Sequence, residues 1–88
     1  MGLIGLTRIL ATELGPSGIV VDCVVPDMID TAREGGTATG TPARLAEIPV
    51  GGLGHTDDIA ALCAFLCSDA AGFINGQTIH VNGGEREF

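Results

Sequence analysis

The residues best placed to do chemistry sit in the loop Pro26 to Thr31, PDMIDT, directly after the apolar run Ile19 to Val25. That run is rich in valine and apolar on both faces, broken only by Asp22, which is the pattern of a parallel strand covered on both sides. Pro26 cannot donate a ladder hydrogen bond and should end it. In open parallel sheets, ligands sit in the crevice outside the carboxyl ends of strands, so this loop is the first candidate site.

Other chemically capable groups have plainer explanations. His55 with Asp57 and Asp58 resembles the start of a metal set, but the two carboxylates fall in the first turn of a helix, where they complement its dipole, and Thr56 or His55 caps it. His80 falls on the face of a short strand, half-buried, with no nucleophile or carboxylate placed near it by spacing. Cys63 and Cys67 are four apart rather than in Cys-x-x-Cys spacing, so they read with Cys23 as reduced core thiols and not as a redox pair. Gly51-Gly52-Leu53-Gly54 is a tight turn; no Lys-Ser/Thr follows it, which excludes a Walker phosphate loop.

The elements that must position these groups follow from periodicity. Residues 1 to 14 form a helix with one stripe of Leu3, Leu6, Leu10 and Leu14 and a second of Ile4 and Ala11, with Thr7, Arg8 and Glu13 between. Gly15-Pro16 ends it. No capping residue precedes the pattern, which is already running at Met1, so the helix looks cut. Ser17-Gly18 turns into the strand Ile19 to Val25. Residues 32 to 40 are aperiodic, and Thr41-Pro42 opens a short helix to about Ile48. A further helix begins near Thr56, with Ile59, Leu62, Cys63 and Leu66 toward a core. Asn75-Gly76 turns into a strand over Gln77 to Asn82, closed by Gly83-Gly84.

The order is helix, strand, short helix, helix, strand. A helical crossover makes the two strands parallel and the connection right-handed. Two strands make an unstable sheet with open edges. The 88 residues therefore read as a single partial domain, residues 1–88, of an α/β protein whose sheet is completed by other segments or chains. A net charge of −7 excludes phosphate-backbone binding and docking on anionic membranes. No apolar run reaches the roughly 20 residues that span a bilayer, and Met1 to Leu10 lacks the basic start of a secretion signal. The expected compartment is the cytoplasm.

Over residues 2 to 84 the chain resembles the short-chain dehydrogenases/reductases. GLIGLTRILATELGPSGIVVDCVVPDMIDT is similar to the helix, strand and cofactor loop that follow the catalytic Tyr-x-x-x-Lys of that family. GLGHTDDIAALCAFLCSDAAGFINGQTIHVNGG is similar to its last helix and strand. The nearest subfamily is the 3-oxoacyl-carrier-protein reductase type. The resemblance implies the carboxyl-terminal part of a Rossmann-type parallel sheet and an oxidoreductase that moves hydride between alcohol or carbonyl and NAD or NADP. It places the cofactor-binding positions at Pro26, Asp27, Ile29 and Thr31, with the Ile29 backbone and Thr31 hydroxyl on the nicotinamide carboxamide. It makes residues 32 to 48 a substrate lid. It also makes the helix carrying Leu3, Leu6, Leu10 and Leu14, together with the strand edges, the surface of a homo-oligomer.

The same resemblance puts the Gly-rich loop and the active-site Asn, Ser, Tyr and Lys upstream, the Lys falling immediately before Met1. The chain contains no Tyr, so no catalytic residue is assigned to it, and alone it should be inert and bind no cofactor. A stand-alone self-associating module without catalysis is the alternative. Three departures from the family pattern bear on the site. Asp27 stands where the family has the Gly of Pro-Gly, Asp22 where it has a strand Asn, and Gly52 where an Arg follows the Leu-Gly turn; His55-Thr56 replaces Glu-Pro.

Overall fold

The computed structural model describes residues 2–27, 29–30 and 46–84. The elements run α1 (Gly2–Leu14), a 3-10 turn (Gly15–Ser17), β1 (Cys23–Pro26), β2 (Ile29–Asp30), β3 (Gly54–His55), α2 (Thr56–Leu66), a second 3-10 turn (Asp69–Ala71) and β4 (Thr78–Val81). β1 neighbours β4 in one two-stranded sheet and β2 neighbours β3 in another. The chain divides into two compact units, Met1–Val25 with Ala61–Ile79, and Pro26–Ala60 with His80–Phe88.

In the first unit α1 buries Thr7 and Ala11 and leaves Leu3, Leu6 and Ile9 exposed. Ile4, Leu10 and Leu14 are half-buried. The inward line is thus Ile4, Thr7, Ala11 and Leu14, at helical spacing. Thr7 belongs to it because its hydroxyl donates to the Leu3 carbonyl at 2.7 Å, which satisfies the one polar atom. The leucine stripe is the outer one, apart from Leu10 and Leu14.

The helix stops at Leu14, one turn before its left-handed glycine. Pro16 occupies the opening of the 3-10 turn, where its missing N–H costs nothing, and Gly18, not Gly15, takes φ of 82°. Gly18 N–H donates to Gly15 O at 2.9 Å and Ile19 N–H to Leu14 O at 3.3 Å, the paired bonds of a Schellman motif.

β1 begins at Cys23 rather than at Ile19, and it includes Pro26. The residues before it are pinned by side chains as well as by backbone bonds. Val21 N–H donates to Asn75 Oδ1 at 2.9 Å, and Asp22 Oδ1 accepts from Gln77 N–H at 3.0 Å. Asp22, standing for the family's Asn, keeps the acceptor and loses only the donor. Backbone pairing rises in step along both strands, with Gly76 N–H on Val21 O and Cys23 N–H on Gln77 O, both at 2.8 Å, so the strands are parallel.

Asn75 organises this region. Its Nδ2 donates to Ala11 O at 3.1 Å, one of the last four carbonyls of α1. Cys23 is buried, whereas Cys63 and Cys67 are exposed. The expected core face of α2 is only half-covered at Ile59, Leu62 and Leu66. Two strands and one helix do not supply enough surface to enclose it, which overturns the reading of Cys63 and Cys67 as core thiols.

In the second unit β2 and β3 pair in parallel, Ile29 with Gly54 and Asp30 with His55. This short ladder was not expected from two stretches that read as loop and glycine turn. Ile48 is buried, Gly51 N–H donates to its carbonyl at 2.9 Å, and Gly51 and Gly52 adopt φ of 87° and 144°. A glycine is needed at both. The expected helix from Thr41 lies outside the described residues up to position 45; Ala46 is helical and the chain turns at Glu47.

His55 stands outside α2, and its N–H donates to Asp58 Oδ2 at 2.8 Å. This is the reach-back half of a capping box, and it settles the cap position on His55, with Thr56 the first helical residue. Asp58→Ala should lower stability by about 1 kcal/mol, read as a shift of the urea midpoint at constant slope; an unchanged midpoint would remove this cap from the account.

Candidate functional site

The site is built where parallel strands end. Asp27 follows β1 and its N–H donates to Val81 O at 3.1 Å, holding the start of the loop against the end of β4. Ile29 is fixed by its pairing with Gly54. Asn82 and Gly83 follow β4, with Asn82 Oδ1 accepting from Gly84 N–H at 3.0 Å and Gly83 O accepting from Val50 N–H at 3.2 Å. Together these ends enclose a cavity of about 430 Å³, within the usual range for small-molecule sites.

Its walls are mixed. Ile29, Val50, Leu53 and Val81 supply apolar surface, and Asp27, His55 and Asp58 are the ionisable residues on it. Among the described residues no lysine or arginine lines it. Chemically it can take a flat, largely apolar group with a few polar atoms, oriented by exposed backbone at strand ends. Its described residues offer nothing to neutralise a phosphate.

Of the four positions singled out in sequence, Asp27 and Ile29 line this cavity. Pro26 is exposed at the end of β1 and is not part of the wall. Thr31 lies outside the described residues, as does most of the expected lid, residues 31–45. Sequence reasoning missed the contribution of Leu53 before β3, of Gly54 and His55 in it, and of Asn82 and Gly83. The signal was present in the glycine punctuation after each apolar run, since the residues that break a strand are those that line the crevice at its end.

His80 is exposed on β4, not half-buried. Among the described residues no group of three or more His, Cys, Asp or Glu side chains could hold a metal ion. No described helix is long and apolar enough to cross a membrane.

Helices joined to parallel strands, with a ligand-sized crevice at the strand ends, define a Rossmann-type α/β sheet. A family model described as "Enoyl-(Acyl carrier protein) reductase" matches residues 1–85. The 3-oxoacyl-(acyl-carrier-protein) reductase FabG of Escherichia coli is 44% identical over 84 residues, covering 94% of this chain and 34% of that protein. The dehydrogenase subunit BbsD of Thauera aromatica, named for a hydroxy(phenyl)methyl-succinyl-CoA, is 42% identical over 88 residues, covering 99% of this chain and 36% of its own length. The crystal structure of a short chain dehydrogenase from Bacillus anthracis superposes with a TM-score of 0.83 at 33% identity, covering 99% of this chain and 35% of the other. The chain belongs to the short-chain dehydrogenase/reductase family. It spans about a third of the length of the relatives it matches.

Proposed function

We propose that this chain is the carboxyl-terminal portion of a cytoplasmic NAD(P)-dependent oxidoreductase acting on alcohol or carbonyl groups of acyl chains carried on acyl carrier protein or coenzyme A. The single observation that carries this reading is the cavity of about 430 Å³ at the carboxyl ends of parallel strands, with Asp27 and Ile29 on its wall. The names of the relatives, which act on a 3-oxoacyl carrier and on a CoA ester, supply the substrate class.

The bound nicotinamide would supply or accept the hydride. The part of this chain is to orient that ring, using Asp27, Ile29 and Thr31, and to shed water from it with Leu53 and Val81. The apolar wall and strand-end backbone fit the nicotinamide end of the cofactor; nothing described fits the diphosphate. The proton donor must come from elsewhere, because the 88 residues include no tyrosine.

The test joins the part of the Escherichia coli FabG that precedes the matched stretch to this chain. The chimera should reduce a 3-oxoacyl thioester with NADPH, while the 88-residue chain should give neither turnover nor a change in NADH fluorescence. A chimera that binds cofactor but transfers no hydride sinks the reading. Saturable NADH binding by the isolated chain would show that the cofactor site is complete within it.

A second reading, a self-associating module without catalysis, is favoured by the exposed row Leu3, Leu6 and Ile9 on α1, at 66%, 50% and 58% exposure. Large apolar side chains clustered on one helix face mark an interface. In either reading this row, with Leu10 and Leu14 at its edge, is the surface through which copies of the chain pair. Leu6→Asp should weaken self-association at least about tenfold, measured by light scattering across a dilution series. A wild-type chain that is monomeric throughout that series removes the interface.

A further inference from the structure

The chain contains two asparagines, Asn75 and Asn82, and each is followed by glycine. Asparagine before glycine is the dipeptide most open to deamidation, because a residue without a side chain lets its own nitrogen approach the asparagine carboxamide. In that reaction the glycine amide nitrogen loses its proton and bonds to Cγ. The side-chain nitrogen leaves as ammonia, forming a succinimide, and water then opens the ring to aspartate or isoaspartate. No oxidant or other reagent is required.

The two sites are held very differently. At Asn75 both ends of the carboxamide are fixed, Oδ1 accepting from Val21 N–H at 2.9 Å and Nδ2 donating to Ala11 O at 3.1 Å. The attacking nitrogen is also engaged, Gly76 N–H donating to Val21 O at 2.8 Å. Room to swing is lacking as well, since a Cβ on Gly76 would lie 3.3 Å from the Ala11 Cβ. Three hydrogen bonds must break before the ring can close. At Asn82, among the described residues, the carboxamide is held by one local bond, Oδ1 accepting from Gly84 N–H at 3.0 Å, and its nitrogen end is not caged as that of Asn75 is.

We infer that Asn75 and Asn82 are paired deamidation sites of opposite access, Asn82 reacting in the folded chain and Asn75 only after its region opens. The product at Asn75 would be a carboxylate facing the Ala11 carbonyl, acceptor against acceptor, so an opened chain that has reacted there cannot rebuild the same contact. The product at Asn82 adds a carboxylate to a cavity wall that already carries Asp27 and Asp58.

The test incubates the 88-residue chain at mildly alkaline pH with and without concentrated urea, and follows each site by fragmentation mass spectrometry. In buffer, Asn82 should deamidate at least about tenfold faster than Asn75, the ratio reporting the local opening of the Asn75 cage. In urea the two rates should converge. Equal rates in buffer, or faster reaction at Asn75, would overturn the inference. Hydrogen exchange at the Gly76 amide is the second reading: slow exchange alongside fast Asn75 deamidation also overturns it.

Discussion

Asp27→Gly, made in the chimera that supplies the missing part of the fold, is expected to tighten cofactor binding by about tenfold or more. Asp27 is half-buried on the cavity wall. A ring laid against it must strip water from a carboxylate and accommodate a Cβ where the family has none. Taking a charged group out of water costs free energy whatever partners it keeps. Removing the side chain leaves the backbone N–H to Val81 O bond intact, so the loop should stay in place. The measurement is the dissociation constant for NADPH of the chimera with Asp27 and with glycine. Equal or weaker binding by the glycine form would mean that the carboxylate turns away from the bound ring, and that the departure from the family pattern has no cost.

Gly83→Ala is expected to destabilise the chain by about 2–3 kcal/mol, through overpacking and backbone strain together. Gly83 has φ of 65°, and an added Cβ would lie 2.6 Å from Cγ2 of Ile48, which is only 4% exposed. Neither atom can yield cheaply, because Ile48 is buried and Gly83 O is already held by Val50 N–H. Gly5→Ala is the control. Gly5 lies inside α1 with nothing within 4 Å of an added Cβ, and alanine there should stabilise by about 0.5–1 kcal/mol. Both are read from urea midpoints. A Gly83→Ala chain as stable as the parent would place Ile48 elsewhere than under this turn.

The class of fold was legible because helix and strand announce themselves by different periods. The stripe of α1 and the valine run into β1 could be placed from spacing alone, and two strands separated by a helix had to be parallel. Polar hydrogen bonding was harder to see. Thr7 read as a polar residue between two apolar stripes, yet its hydroxyl is satisfied inside its own helix and the residue is buried. Val21 and Asp22 read as strand, yet their partners are an asparagine side chain and a backbone amide more than fifty residues on. Cys63 and Cys67 read as interior because they sit in the apolar segment of α2 and its end, and periodicity reports which face is apolar without saying whether anything covers it. The site was half visible. The loop that holds Asp27 and Ile29 follows from the rule that loops after parallel strands bind ligands, and the individual positions from the family resemblance, but the pairing of β2 with β3, which brings in Leu53 and His55, rests on two residues per strand and leaves no pattern to read.

The bond from Asn75 to Ala11 also has a consequence for synthesis. Its ends are 64 positions apart, so at a translation rate of about 5–20 residues per second α1 emerges roughly 3–13 s before its partner exists. For that interval this bond is missing, and of the bonds described at the end of α1 only those of its glycine turn can form. The end of α1 is thus a waiting surface during manufacture, open to a chaperone or a neighbouring nascent chain until its distant asparagine arrives.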